Sequence, residues 1–90
     1  MRKPTKQHHK DYANSLKALQ KVIKLCQKNG IYFYAAHVHC TSDLDAEPSI
    51  LVEPNGVDLS TVFDVLFEQQ NDTLNYVYVN VDGIKVRLTI

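Results

Sequence analysis

Near the C-terminal end, Tyr76, Tyr78, Lys85 and Arg87 are side chains of the kind that bind rather than react. Their rings offer faces for stacking, and their cations hold phosphates or carboxylates. They lie in two runs of period two that flank Asp82-Gly83, a dipeptide that accepts the positive φ values of a type I′ hairpin turn. That turn sets the register. Val81 falls opposite Ile84, Val79 opposite Val86, Val77 opposite Leu88 and Asn75 opposite Ile90, all on one mainly apolar face. The other face carries Leu74, Tyr76, Tyr78 and Asn80 beside Lys85, Arg87 and Thr89, with Tyr78 facing Arg87. Cross-strand pairs of this type also stabilise ordinary solvent-facing sheets, by a few tenths to about 1 kcal/mol. The constellation is therefore a candidate surface without a specified ligand.

A second candidate surface is cationic. Lys17, Lys21, Lys24 and Lys28 recur at steps of four, three and four, which places them on one side of a helix. With Arg2, Lys3, Lys6 and Lys10 they suit a phosphate backbone or an acidic protein surface. Lysine lacks the bidentate fork of arginine, so such binding would be loosely specified. Charge is strongly segregated along the chain. Residues 1–30 hold eight Lys or Arg against Asp11, a net of +7, while residues 31–90 hold Lys85 and Arg87 against nine acids, a net of −7. The acidic part would repel a polyanion unless the two poles stay apart in space.

Readings that require a metal or a reaction find less support. His37 and His39, at i and i+2 of an expected strand, project from one side and could share a metal, but zinc needs a third or fourth ligand. Asp43, Asp45, His8 or His9 would have to supply it, so no cofactor is expected and the pair reads as ordinary surface histidines. The acidic stretch from Asp43 to Glu47 has Pro48 and Pro54 where a calcium loop needs its glycine and its glutamate. With three glycines in the chain there is no phosphate-cradling loop, and neither a nucleophile elbow nor H-E-x-x-H occurs. Asp64 and Glu68 would share the solvated face of an expected helix, without the desolvation that tunes a carboxylate for acid–base work. Cys26 and Cys40 form no CxxC pair and are expected as buried free thiols.

The elements that must position these residues follow from periodicity and punctuation. Residues 1–10, with Pro4 and no apolar repeat, read as a mobile basic arm. From Asp11 an amphipathic helix presents Tyr12, Leu16, Leu19, Ile23 and Cys26 inward and stops at Asn29-Gly30. Ile31 to Cys40 reads as a strand with Ala36, Val38 and Cys40 toward the helices and the two histidines away. Its first half is apolar on both faces, so the direction of Tyr32 and Tyr34 stays open. An acidic loop and a short strand over 49–53 lead to the Pro54-Asn55-Gly56 turn. Asp58 then caps a second helix reaching about Gln70, with Leu59, Val62, Phe63 and Leu66 as its stripe. The order α-β-β-α-β-β predicts an α+β two-layer sandwich in which both helices cover one face of a four-stranded, mostly antiparallel sheet, a single domain over 11–90.

Ninety residues with 44% hydrophobic and 22% charged side chains describe a soluble globular chain. No apolar run approaches the roughly 18–20 residues of a membrane helix, and the basic N-terminus lacks the apolar segment of a secretory signal, so the expected location is cytoplasmic. The functional expectation is a small non-catalytic interaction protein. It would work through segregated surface charge and an open sheet face, either self-associating or regulating a protein partner, with no membrane role. The alternative is a nucleic-acid-binding module using the basic arm, the lysine face and the Tyr/Arg face of the hairpin.

Overall fold

The computed structural model describes residues 3–90. It contains one helix, α1 (Lys6–Lys28), and a five-stranded sheet of β1 (Tyr32–Cys40), β2 (Ala46–Glu53), β3 (Asp64–Asn71), β4 (Leu74–Val81) and β5 (Ile84–Thr89). The spatial order is β1-β2-β5-β4-β3. Neighbours pair antiparallel except β2 and β5, which run parallel.

The C-terminal hairpin forms in the expected register. Asp82 and Gly83 both take positive φ, 53° and 83°, as a type I′ turn requires. Val81, Val79 and Val77 then pair with Ile84, Val86 and Leu88, and Tyr78 pairs with Arg87. Asn75 and Ile90 close the ladder by exchanging backbone hydrogen bonds at 3.4 and 2.8 Å. Val79, Val86 and Leu88 are fully buried, each contributing about 1.5–3 kcal/mol relative to exposure.

The expected second helix does not form. Asp58 does act as an N-cap, its side chain accepting from the Ser60 N–H, but the turn it caps is a 3-10 helix of three residues, Leu59–Thr61. The chain then extends as β3. Val62, Phe63, Val65, Leu66 and Phe67 are β-branched or aromatic in the main, and from Val65 on they pair more readily with β4 than they coil. Val65 meets Val79 and Phe67 meets Tyr78 across that ladder, with a bulge at Leu66 between them. Without β3, β4 would be a bare edge. Leu59 and Phe63, buried in the same cluster as Val77 and Val79, supply the cover that a second helix was expected to give. The architecture is thus α+β with one helix on five strands, not two on four.

The helix differs in its start and its rotation. Thr5 caps it, its hydroxyl accepting from the His8 N–H at 3.1 Å, and Gln7 bonds Asp11 one turn on at 2.8 Å. Residues 6–10 of the expected arm are therefore helical. Pro4 lies just outside the cap, where it interrupts nothing. Met1 and Arg2 lie outside the described residues. At the other end Asn29 and Ile31 donate to the Cys26 carbonyl, and Gly30 takes φ 73°. The buried line is Ser15, Ala18, Leu19, Val22 and Cys26, while Leu16 is 44% exposed. Small Ser15 and Ala18 let the helix sit close to the sheet, which turns Tyr12, Leu16 and Ile23 onto one flank. Lys21 marks the opposite flank, where it reaches Asp82 in the β4–β5 turn.

Candidate interaction face on the open sheet

Alternation along the strands divides the sheet into a covered face and an open one. Ile50, Val52, Val77, Val79, Val81, Val86 and Leu88 point toward α1 and the Leu59–Phe63 crossover. Their neighbours point the other way, and no element of the described chain covers them. Tyr76, Tyr78, Lys85 and Arg87 all lie there, as expected, and the ladder registers place Phe67 and Gln69 of β3 beside them.

These side chains form a connected array. Phe67 and Tyr78 stack with centroids 4.4 Å apart and planes inclined at 22°. The Lys85 ammonium lies 5.4 Å from the Tyr78 centroid and 5.8 Å from that of Phe67, and the Arg87 guanidinium lies 5.0 Å from the centre of Tyr76. Such contacts hold a cation in place at about 0.5–1 kcal/mol each when exposed. Arg87 also directs Nε and Nη2 at the Ser49 hydroxyl, both at the long distance of 3.4 Å. Neither cation has a carboxylate within ion-pair reach among the described residues. Beside them the β2–β5 ladder spans only Ser49–Leu51 against Arg87–Thr89. Beyond it the strands diverge, and a cleft of about 240 Å³ opens between Glu47, Pro48 and Ser49 on one side and Lys85 and Arg87 on the other.

Phe67 is the member that sequence reasoning missed. The sequence reading puts it in a helix, and no period-two pattern marks it as a strand residue, because the bulge at Leu66 sends Val65 and Phe67, two residues apart, to opposite faces. It is 47% exposed. Asp64 and Glu68, paired on that expected helix, are separated by the bulge: Asp64 is opposite Asn80 and accepts from its side-chain amide at 3.2 Å, whereas Glu68 is opposite Val77. The two carboxylates therefore project from opposite faces.

The lysine row belongs to the other layer. Lys17, Lys21, Lys24 and Lys28 lie on the outer side of α1, separated from the aromatic array by the thickness of the sheet. The expected free cationic face is interrupted at Lys21, whose ammonium pairs with Asp82. Both side chains are more than half exposed, so the pair contributes only about 0–1 kcal/mol.

His37 and His39 pair with Ser49 and Glu47 across the β1–β2 ladder, which puts both on the open face. No group of three His, Cys, Asp or Glu side chains converges among the described residues. His8, one of the ligands considered for them, instead sets Nδ1 3.0 Å from the Leu44 carbonyl. The thiols differ from each other, contrary to the expectation that both would be buried. Cys26 is in the core, and its burial raises its pKa. Cys40, at the end of an edge strand, is exposed. No helix among the described residues is long and apolar enough to cross a membrane. No family model, curated protein or solved structure matches the chain.

Proposed function

We propose that this chain is a non-catalytic interaction module whose open sheet face binds an acidic segment of a protein partner. The observation that carries the reading is the array of Phe67, Tyr78, Tyr76, Lys85 and Arg87. It combines exposed ring surface with two positioned cations that no carboxylate of the described chain neutralises. Prior positioning matters because immobilising a free side chain on binding costs about 0.5–1.5 kcal/mol. Aromatic and arginine side chains are also the types enriched among residues that dominate protein interfaces.

A nucleic-acid reading draws on the same side chains and on the lysine row. It is less well supported, because Phe67 and Tyr78 spend ring surface on each other and the lysines lie on the opposite layer. A single strand following one set would not meet the other. The readings separate by experiment. Affinity capture at low salt is compared between the wild-type chain and a Phe67→Ala, Lys85→Glu, Arg87→Glu variant, alongside anisotropy titrations with short single- and double-stranded oligonucleotides. The proposal expects a protein retained by the wild type, lost from the variant and released as salt rises, with no oligonucleotide binding. Equal capture by both chains overturns it, as does oligonucleotide binding that the triple substitution abolishes.

A further inference from the structure

The sheet has two free edges, and they are guarded differently. β3 carries Asp64 and Glu68, charged side chains of the kind that discourage a further strand from pairing there, and a bulge at Leu66. β1, Tyr-Phe-Tyr-Ala-Ala-His-Val-His-Cys, has no Lys, Arg, Asp, Glu or Pro in nine residues. Tyr32 and Tyr34 are 64% and 69% exposed. Soluble proteins normally protect an edge with charge, proline, shortness or a bulge. Here the one such device is the irregularity between Phe33 and Ala35, which leaves Ala35 to Cys40 in regular pairing with β2.

A second apolar feature lies alongside. Lys21 and Asn14 are on the helix flank toward the β4–β5 turn, as the Lys21–Asp82 pair and the hollow lined by Asn14, Lys17, Val81 and Asp82 establish. The opposite flank, with Tyr12, Leu16 and Ile23, therefore faces the β1 edge. An uncharged strand edge and an apolar helix flank run side by side along one border of the molecule.

From this juxtaposition we infer that β1 is a homodimer interface, in which a second copy of the chain adds its own β1 antiparallel to the first. A two-fold axis normal to the sheet keeps both helices on the same side. Paired residues must then share a face, so one residue near the middle of β1 lies opposite its own counterpart. α1 packs chiefly over β1 and β2. With strands about 4.8 Å apart, the two helix axes would lie roughly 10–15 Å from each other, somewhat beyond the 8–10 Å of directly packed helices. Tyr12 and Leu16 are of a size to fill that gap. Pairing of β1 with β3 of another copy would not close and would yield chains of molecules. The dimer joins the open faces of both copies into one ten-stranded surface and does not depend on what that face binds.

Sedimentation over a concentration series tests the assembly, and cysteine placement tests its geometry. The wild type is expected to pass from monomer to dimer in the micromolar range. The Ala35→Lys, His37→Lys variant should weaken association at least about tenfold by placing like charges at the axis. Its circular dichroism and melting at monomeric concentration should match those of the wild type. In a Cys40→Ser background, single cysteines at 35, 36 and 37 are oxidised in turn. One of the three should give a disulfide-linked dimer, since residues on an axis come within about 4.5–5.5 Å of their counterparts. A monomer at every concentration, open-ended polymers, or no crosslink at any of the three positions overturns the inference. None of these results alters the open-face capture experiment.

Discussion

The two faces of the β4–β5 hairpin are built from alternate residues of the same strands and do opposite work. Val77, Val79, Val86 and Leu88 are buried and interchangeable in character, any apolar group of similar volume serving their role. Tyr76, Tyr78, Lys85 and Arg87, one residue out of step, are partly exposed and specific, each ring or cation placed against a particular neighbour. The covered face accounts for why the hairpin is stable. The open face adds less, its exposed ring–cation contacts contributing about 0.5–1 kcal/mol each, and its side chains are those on which the proposed interaction rests.

Substitutions that strike one face at a time should separate these roles. The largest stability effect is expected from Leu88→Ala, which leaves a void between sheet and helix at a position with no exposure. Equilibrium urea unfolding should show a loss of about 2–5 kcal/mol, a large part of the total for so small a domain. Loss of under about 1 kcal/mol would mean that the helix collapses into the void and that the covered face is less tightly packed than its burial implies.

Phe67→Ala should be milder, since it removes one exposed partner of the Tyr78 stack. The expected cost is about 0.5–1.5 kcal/mol, while capture of a protein partner should fall far more. A stability loss as large as that of Leu88→Ala would make the array a structural device and remove the distinction between the faces.

The legibility of the sequence also divides between regions. The β4–β5 hairpin was readable because a local signal, Asp82-Gly83, sets loop length, and loop length sets every cross-strand pair. Four of the five array residues were placed together on that basis alone. The segment from Leu59 to Phe67 was not readable by the same means. Leu59, Val62, Phe63 and Leu66 satisfy a helical stripe, whereas the bulge at Leu66 puts Val65 on the covered face and Phe67 and Gln69 on the open one, so the strand leaves no regular alternation. The arbiter is non-local, the unpaired edge of β4 that β3 fills. On α1 the stripe was misplaced because the line in contact with the sheet includes Ser15 and Ala18, whose value is small size rather than hydrophobicity. The lysine row does run along one side of α1, but how much of it stays free depends on how closely α1 approaches the β4–β5 turn, which no local pattern reveals.

That approach allows the two cation sets to be compared directly. Lys85 is positioned by two rings and Lys21 by one exposed carboxylate. A double-mutant cycle on Lys21→Ala and Asp82→Ala should return a coupling of about 0–1 kcal/mol that vanishes in high salt, the behaviour of a solvated ion pair. A cycle on Lys85→Ala and Tyr78→Ala should retain most of its coupling under the same conditions if ring contact and packing of the lysine stem hold it. Equal salt sensitivity in the two cycles would show that the open-face cations are no better organised than those of the helix.

The smallest effect concerns the crossover that stands where a helix was expected. Hydrogen bonds from the Ser60 hydroxyl and N–H hold the Asp58 carboxyl below its ordinary pKa. A carboxylate whose pKa is lower folded than unfolded stabilises the native state above the unfolded value, near 3.9. As pH falls through the folded value that contribution disappears. Asp58→Ala should therefore reduce stability at about pH 5.5 and make little difference at the acid end, where the wild-type carboxyl is itself protonated. Urea midpoints of the two proteins should converge on acidification. If their separation stays constant across that range, the turn is held by Leu59 and Phe63 in the core, and the charged cap has no part in seating the crossover over the covered face.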